Sequence, residues 1–188
     1  QPGYGTLALP TYIPHNRGAA ADDGIYLTDT DSGKSRLLIS YETIMEAISD
    51  TPGAEELAER DLYGFHLKWN PQGTRLLFVV RGRAADPARK LLNFIVTVDA
   101  DGSNPRMTLS HRDWVRGHHP NWCPDGENVL MNLKTDDGPL RFVRFSCNGS
   151  TIESLTSIEG GGHPTLHPDG RHILTDEYEH GPLANPDG

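Results

Sequence analysis

Short apolar runs separated by clusters of turn residues pattern this chain. Three of them, Leu76-Leu-Phe-Val-Val80, Val129-Leu-Met131 and His172-Ile-Leu174, follow copies of one eight-residue phrase. The copies are His66-Leu-Lys-Trp-Asn-Pro-Gln-Gly73, His119-Pro-Asn-Trp-Cys-Pro-Asp-Gly126 and His163-Pro-Thr-Leu-His-Pro-Asp-Gly170. Each reads as a strand, a Pro-x-Gly turn and a second strand. The closing glycines Gly73, Gly126 and Gly170 stand 53 and 44 residues apart, a period that suits propeller blades and is too long for single helix pairs in a solenoid. The predicted fold is all-β: a β-propeller of four-stranded antiparallel blades, with about four blades of a partial ring in this chain.

Taken in order, residues 1–22 read as a loop or an irregular strand. Residues 24–40 form a hairpin, the outer half of a blade. Residues 41–62 form a helical insertion, because Glu42–Ser49 and Gly53–Arg60 combine acidic first turns with apolar residues at helical spacing. Such a segment is either a lid or, more commonly, a packed surface insertion. One full blade is expected over 63–109, a second over 118–157 and an inner half-blade over 160–178, with a loop after it. Missing blades or a second chain would complete the ring.

The register of the phrase sets the chemistry. The first strand of a blade lines the central channel, so a histidine that opens each inner strand falls at one structural position three times. His66, His119 and His163 are therefore expected at a common channel mouth, placed for a metal or a substrate. The plainer reading is a polar residue solvating the rim, for which imidazole is an uncommon choice.

Composition narrows the partners. The chain has 188 residues, a net charge of -9, 20 Gly and 14 Pro. Without a Lys/Arg block, this charge excludes a nucleic-acid surface. No apolar run approaches membrane-spanning length and no basic-then-apolar leader opens the sequence, so no membrane partner is expected. Cys123 and Cys147 fall at the ends of the first and third strands of one blade, about 9 to 10 Å apart at ordinary strand spacing. That is beyond disulfide reach, so they are expected as buried thiols. Free thiols favour a cytoplasmic compartment over a periplasmic or secreted one, though both stay open because a signal segment is removable. Asn148-Gly149-Ser150 matches a glycosylation sequon but aligns with the turn Asp101-Gly102-Ser103, and it reads as turn chemistry.

Cations gather on the histidine side. Arg81-Gly-Arg-Ala-Ala-Asp-Pro-Ala-Arg-Lys90 is a basic loop between two strands, and His111, Arg112, Trp114, Arg116 and His118 lie close together in the connection to the next blade. Planar and cationic side chains in such number suit a sugar or carboxylate contact.

The repeated Pro-Asp-Gly phrases resemble the TolB-type propeller repeat over about residues 63–178. The histidine-first inner strands are similar to those of the oligogalacturonate lyase family of polysaccharide lyases. That resemblance implies a divalent metal held by His66, His119 and His163, manganese first and zinc or nickel after it. It also implies a catalytic role for Arg81; His119 is expected to share that role, and Arg83, Trp114, Arg116 and Tyr178 are expected as oligosaccharide contacts. The implied activity is β-elimination on uronic-acid-containing oligosaccharides. The sequence departs from the family where its His-Glu-Gly-type segment reads Arg81-Gly82-Arg83. The competing expectation is a non-catalytic scaffold that binds a protein or peptide at its mouth. A peptidase-gating propeller would need a Gly-x-Ser-x-Gly elbow, and the sequence has none.

Overall fold

The computed structural model describes residues 18–86, 88–149, 151–178 and 181. Most of the expected N-terminal loop, Ser150 of the sequon and the expected C-terminal loop apart from Gly181 lie outside these residues.

Strands β1 (Gly24–Thr28) and β2 (Ser35–Ser40) form a two-stranded sheet. Helix α1 (Tyr41–Ala47) follows, started by the Ser40 side chain, which accepts from the Thr43 amide. The first blade is the antiparallel sheet β3 (Asp61–Trp69), β4 (Arg75–Arg83), β5 (Leu92–Asp99) and β6 (Arg106–Leu109), in that spatial order. The second is β7 (Gly117–Trp122), β8 (Asn128–Leu133), β9 (Arg141–Ser146) and β10 (Glu153–Glu159), again in order. β11 (Thr165–Leu166) and β12 (Ile173–Leu174) form a short hairpin. The described residues form a partial β-propeller: two complete blades flanked by two half-blades.

Period-two alternation explains how the blades stack. Along β4, Leu76, Phe78 and Val80 enter a core shared with β1, β2 and α1, while Leu77 and Val79 enter a core shared with the second blade. Along β8, Val129, Met131 and Leu133 face the first blade, and Leu130 faces the β11–β12 hairpin. Each central strand is thus buried on both faces, which is why these strands are continuous apolar runs rather than alternating ones.

The insertion differs from its expected form. Its second helix is a four-residue 3-10 turn, Ala54–Leu57, entered through Gly53 at φ 95°. It packs instead of hanging as a lid. Ile44, Ile48 and Leu57 are wholly buried, and the buried Arg60 guanidinium donates to the carbonyls of Gly82 and Lys90.

Candidate functional site at the channel mouth

The inner strands β3, β7 and β11 run side by side through one repeated linkage. Lys68 Nζ donates to Pro120 O at 3.0 Å and to Asn121 Oδ1 at 3.3 Å. Asn121, which stands where Lys68 does in the phrase, donates in turn to Pro164 O at 3.5 Å and to Thr165 Oγ1 at 3.4 Å. Trp122 Nε1 closes back on Lys68 O at 3.1 Å. Burial holds the Lys68 ammonium below the usual lysine range, so its partners matter.

This linkage brings the phrase histidines together. Ring centroids are 5.3 Å apart for His66 and His119, and 3.9 Å for His119 and His163. The histidines do not open their strands, however. β3 begins five residues before His66 and β7 two before His119. Each of these two histidines sits at a bulge, where the ladder slips between Phe65 and Lys68 and between His118 and Asn121. His66 (φ 53°) and His119 (φ 56°) adopt the left-handed conformation there. A bulge of this kind re-aims a side chain, and histidine tolerates positive φ better than most residues do. At the third position the positive φ passes to Gly162, at 59°.

The rings differ electrically. Burial is the main cause that takes His66 down to about 4, with Lys68, Arg81 and His163 adding to it. His119 is also lowered to about 4, by burial first and then by His163, His118 and His66. Both are neutral at pH 7 and keep a lone pair. His119 Nε2 meets the Tyr178 hydroxyl at 2.9 Å, and its Nδ1 is buried without a hydrogen-bond partner. His163 is more exposed and is oriented by Asp176, whose carboxylate lies 2.8 and 3.0 Å from Nδ1 and also takes the His163 amide. With Nδ1 donating to Asp176, a neutral His163 ring carries its lone pair on Nε2. The Tyr178 phenol is raised above its ordinary value by burial, Asp176 and Glu177.

A fourth imidazole, His118, joins the group with its centroid 4.8 Å from that of His119 and 6.0 Å from the Tyr178 ring. Burial, His163 and Arg116 lower it from its ordinary value. The sequence places His118 only among the planar and cationic side chains of residues 111–118 and not with the phrase histidines, although it stands directly before His119; Asp176 and the buried Asn132 carry no sequence signal.

The cations divide. The Arg81 guanidinium lies over the Phe65 ring, 4.0 Å from its centroid, and its Nε is buried without a partner. Its charge reaches His66, so Arg81 belongs to the mouth. Arg116 is exposed near His118. Arg83 lies at the far end of β4, paired with Asp61 and near the Tyr63 ring at 5.3 Å. Trp114, expected as a sugar contact, is instead a core residue. It is 6% exposed, packs between the two blades and donates Nε1 to Gly117 O at 2.9 Å. Arg112 fastens the insertion through Glu55 and Glu56, and His111 Nε2 lies 3.4 Å from the Glu56 carboxylate.

Cys123 and Cys147 are free and buried. Among the described residues, the one trio whose ligand atoms already lie within 4.8 Å of one another is His167, Asp169 and His172, on the exposed β11–β12 turn. There Asp169 caps the amides of Arg171 and His172, as Asp125 caps those of Glu127 and Asn128 in the equivalent turn. Turn chemistry accounts for that trio. At the mouth, ring rotation is needed before three nitrogens reach one point.

Among the described residues, no helix is long and apolar enough to cross a membrane. No family model matches the chain, and no curated protein matches it. Among solved structures it is similar to TolB from Acinetobacter baumannii, at 18% identity and a TM-score of 0.48, over 84% of this chain and 33% of that one. The chain thus spans about a third of the length of the TolB it matches.

Proposed function

We propose that the mouth is a metal-assisted site for uronic-acid-containing oligosaccharides, and that the chain is a lyase-like, carbohydrate-active propeller acting by β-elimination. The observation that carries this reading is the convergence of His66, His119 and His163 from three successive inner strands.

The donor set fits a divalent metal, manganese first and zinc or nickel after it. His66 and His119 are neutral at pH 7, His119 Nδ1 is buried and unpartnered, and His163 carries a carboxylate partner of the kind that orients metal-bound imidazoles. When bound, such a cation supplies Lewis-acid neutralisation of the substrate carboxylate.

The chain's own residues supply the rest. The unpartnered Arg81 Nε–H offers a charge-assisted hydrogen bond to a carboxylate. This acidifies the proton on the adjacent carbon. In the tautomer that donates from Nε2 to Tyr178, His119 keeps an Nδ1 lone pair, which serves as metal ligand or as proton acceptor. As the proton passes to the base, the electron pair of the broken C–H bond forms the carbon–carbon double bond, and the glycosidic oxygen departs with the C–O electron pair and takes a proton from water.

To test this, the protein is incubated with oligogalacturonate and Mn2+, and the ultraviolet absorbance of the unsaturated product is followed. The expected result is product formation that chelation stops and Arg81→Ala slows markedly. Absence of product with a metal-loaded protein overturns the reading.

A further inference from the structure

The two complete blades allow a comparison within the chain. At the offset set by Gly73 and Gly126, Phe65 corresponds to His118, and Val79 to Asn132. Both are cross-strand pairs at the same place beside the bulge: Phe65 opposite Val79, and His118 opposite Asn132. An apolar pair in one blade is therefore a polar pair in the next. Asn132 is wholly buried, as Val79 nearly is. A buried amide in a valine's place costs free energy unless it is hydrogen-bonded.

Its partners fix its orientation. Asn132 Nδ2 lies 2.9 Å from Gly162 O, 3.3 Å from Gly161 O and 3.2 Å from His118 Nδ1. Turning the amide over would aim its oxygen at two carbonyl oxygens, so the group facing His118 is the N–H donor. His118 Nδ1 must then accept. An Nδ1–H ring would set two N–H groups against each other. The same amide holds the glycine segment that delivers His163, and Gly161 O also takes the Thr175 hydroxyl at 2.8 Å.

We propose that Asn132 is a positioning residue that locks His118 as the Nε2–H tautomer, making His118 a fixed hydrogen-bond donor at the mouth, for an oxygen acceptor such as a sugar hydroxyl or carboxylate, and not a further metal ligand. This rests on reading the mouth as a binding site. Its test uses neither metal nor oligosaccharide, so its failure is distinguishable from failure of the lyase reading.

The test is a long-range proton–nitrogen NMR correlation on metal-free protein with 15N-labelled histidine, with His118 assigned by its loss in His118→Gln. The expected wild-type result is a single Nε2–H pattern. Asn132→Asp presents oxygen to Nδ1 and is expected to invert the ring to Nδ1–H, which the ordinary preference of a free imidazole does not produce. If that variant does not fold, Asn132→Val, the residue the sister blade carries, is read instead and is expected to move the Nδ1 resonance towards an averaged position. A wild-type Nδ1–H ring overturns the proposal, as does an unchanged His118 pattern in the folded variant.

Discussion

Acid should weaken this fold through His66 and His119, and the structure gives the size of the effect. Each ring is lowered from 6.5 to about 4, chiefly by burial. Between these values the unfolded chain takes up protons that the folded chain refuses. The stabilisation is therefore complete above the unfolded value and is lost as pH falls towards about 4. At ~1.4 kcal/mol per pH unit the ceiling is roughly 3 kcal/mol for each ring. Both rings are partly open to water, and screening reduces this by about half, to about 3 kcal/mol for the pair. The assay is urea unfolding at about pH 7.5 and about pH 4.5, for wild type and for His66→Asn/His119→Asn. Asparagine accepts the positive φ at both sites. Carboxylates such as Asp29 and Asp169, which lie below their ordinary values, add acid sensitivity of the same sign to both proteins, so the difference between the proteins isolates the rings. The wild type is expected to lose about 3 kcal/mol more than the variant. Equal losses would refute the burial of neutral imidazoles at the mouth.

Further outcomes follow from the same geometry. Lys68→Met removes the donor to Pro120 O and Asn121 Oδ1, and should cost about 2 kcal/mol in urea unfolding because a buried carbonyl is left unpaired; a change near zero would mean that the blades are not linked there. Arg81→Leu should leave the unfolding midpoint almost unchanged and lower kcat/KM on oligouronates by roughly 30- to 100-fold, the equivalent of about 2 to 3 kcal/mol for a charged hydrogen bond; unaltered kinetics would remove Arg81 from the site. Burial, then Asp125, raises the Cys123 thiol to about 12, and burial also raises Cys147. Native protein should therefore resist a thiol-reactive dye that labels both cysteines in denaturant; fast native labelling would contradict the burial.

The blade architecture was legible because the Pro-x-Gly turns and apolar runs act locally and repeat. Leu76–Val80 and Val129–Met131 are central strands for the reason their composition suggests: both faces are buried. The common register of the three histidines was also legible. The bulges were not, because residues on either side of a slipped ladder look like ordinary strand, so His66 and His119 were expected to open strands that in fact begin earlier. Trp114 was misplaced because an aromatic residue among cations reads equally well as a contact surface or as core; its Gly117 partner and its packing between blades decide the matter. The second helix shrank to a 3-10 turn because Leu57 and Arg60 are held by contacts with β4 and the following loop, which helical spacing does not report. Asn132 stayed hidden because two of its three partners, Gly161 and Gly162, lie outside its own blade.

The most direct test of the central claim is the divalent-metal stoichiometry of the protein after exposure to Mn2+, Zn2+ or Ni2+ and removal of free ion. It is compared with His66→Ala/His119→Ala/His163→Ala and with the exposed-turn variant His167→Ala/His172→Ala. The account predicts one tightly held ion that is lost from the mouth variant and kept by the turn variant. An ion lost only from the turn variant, or no retained ion at all, would contradict it.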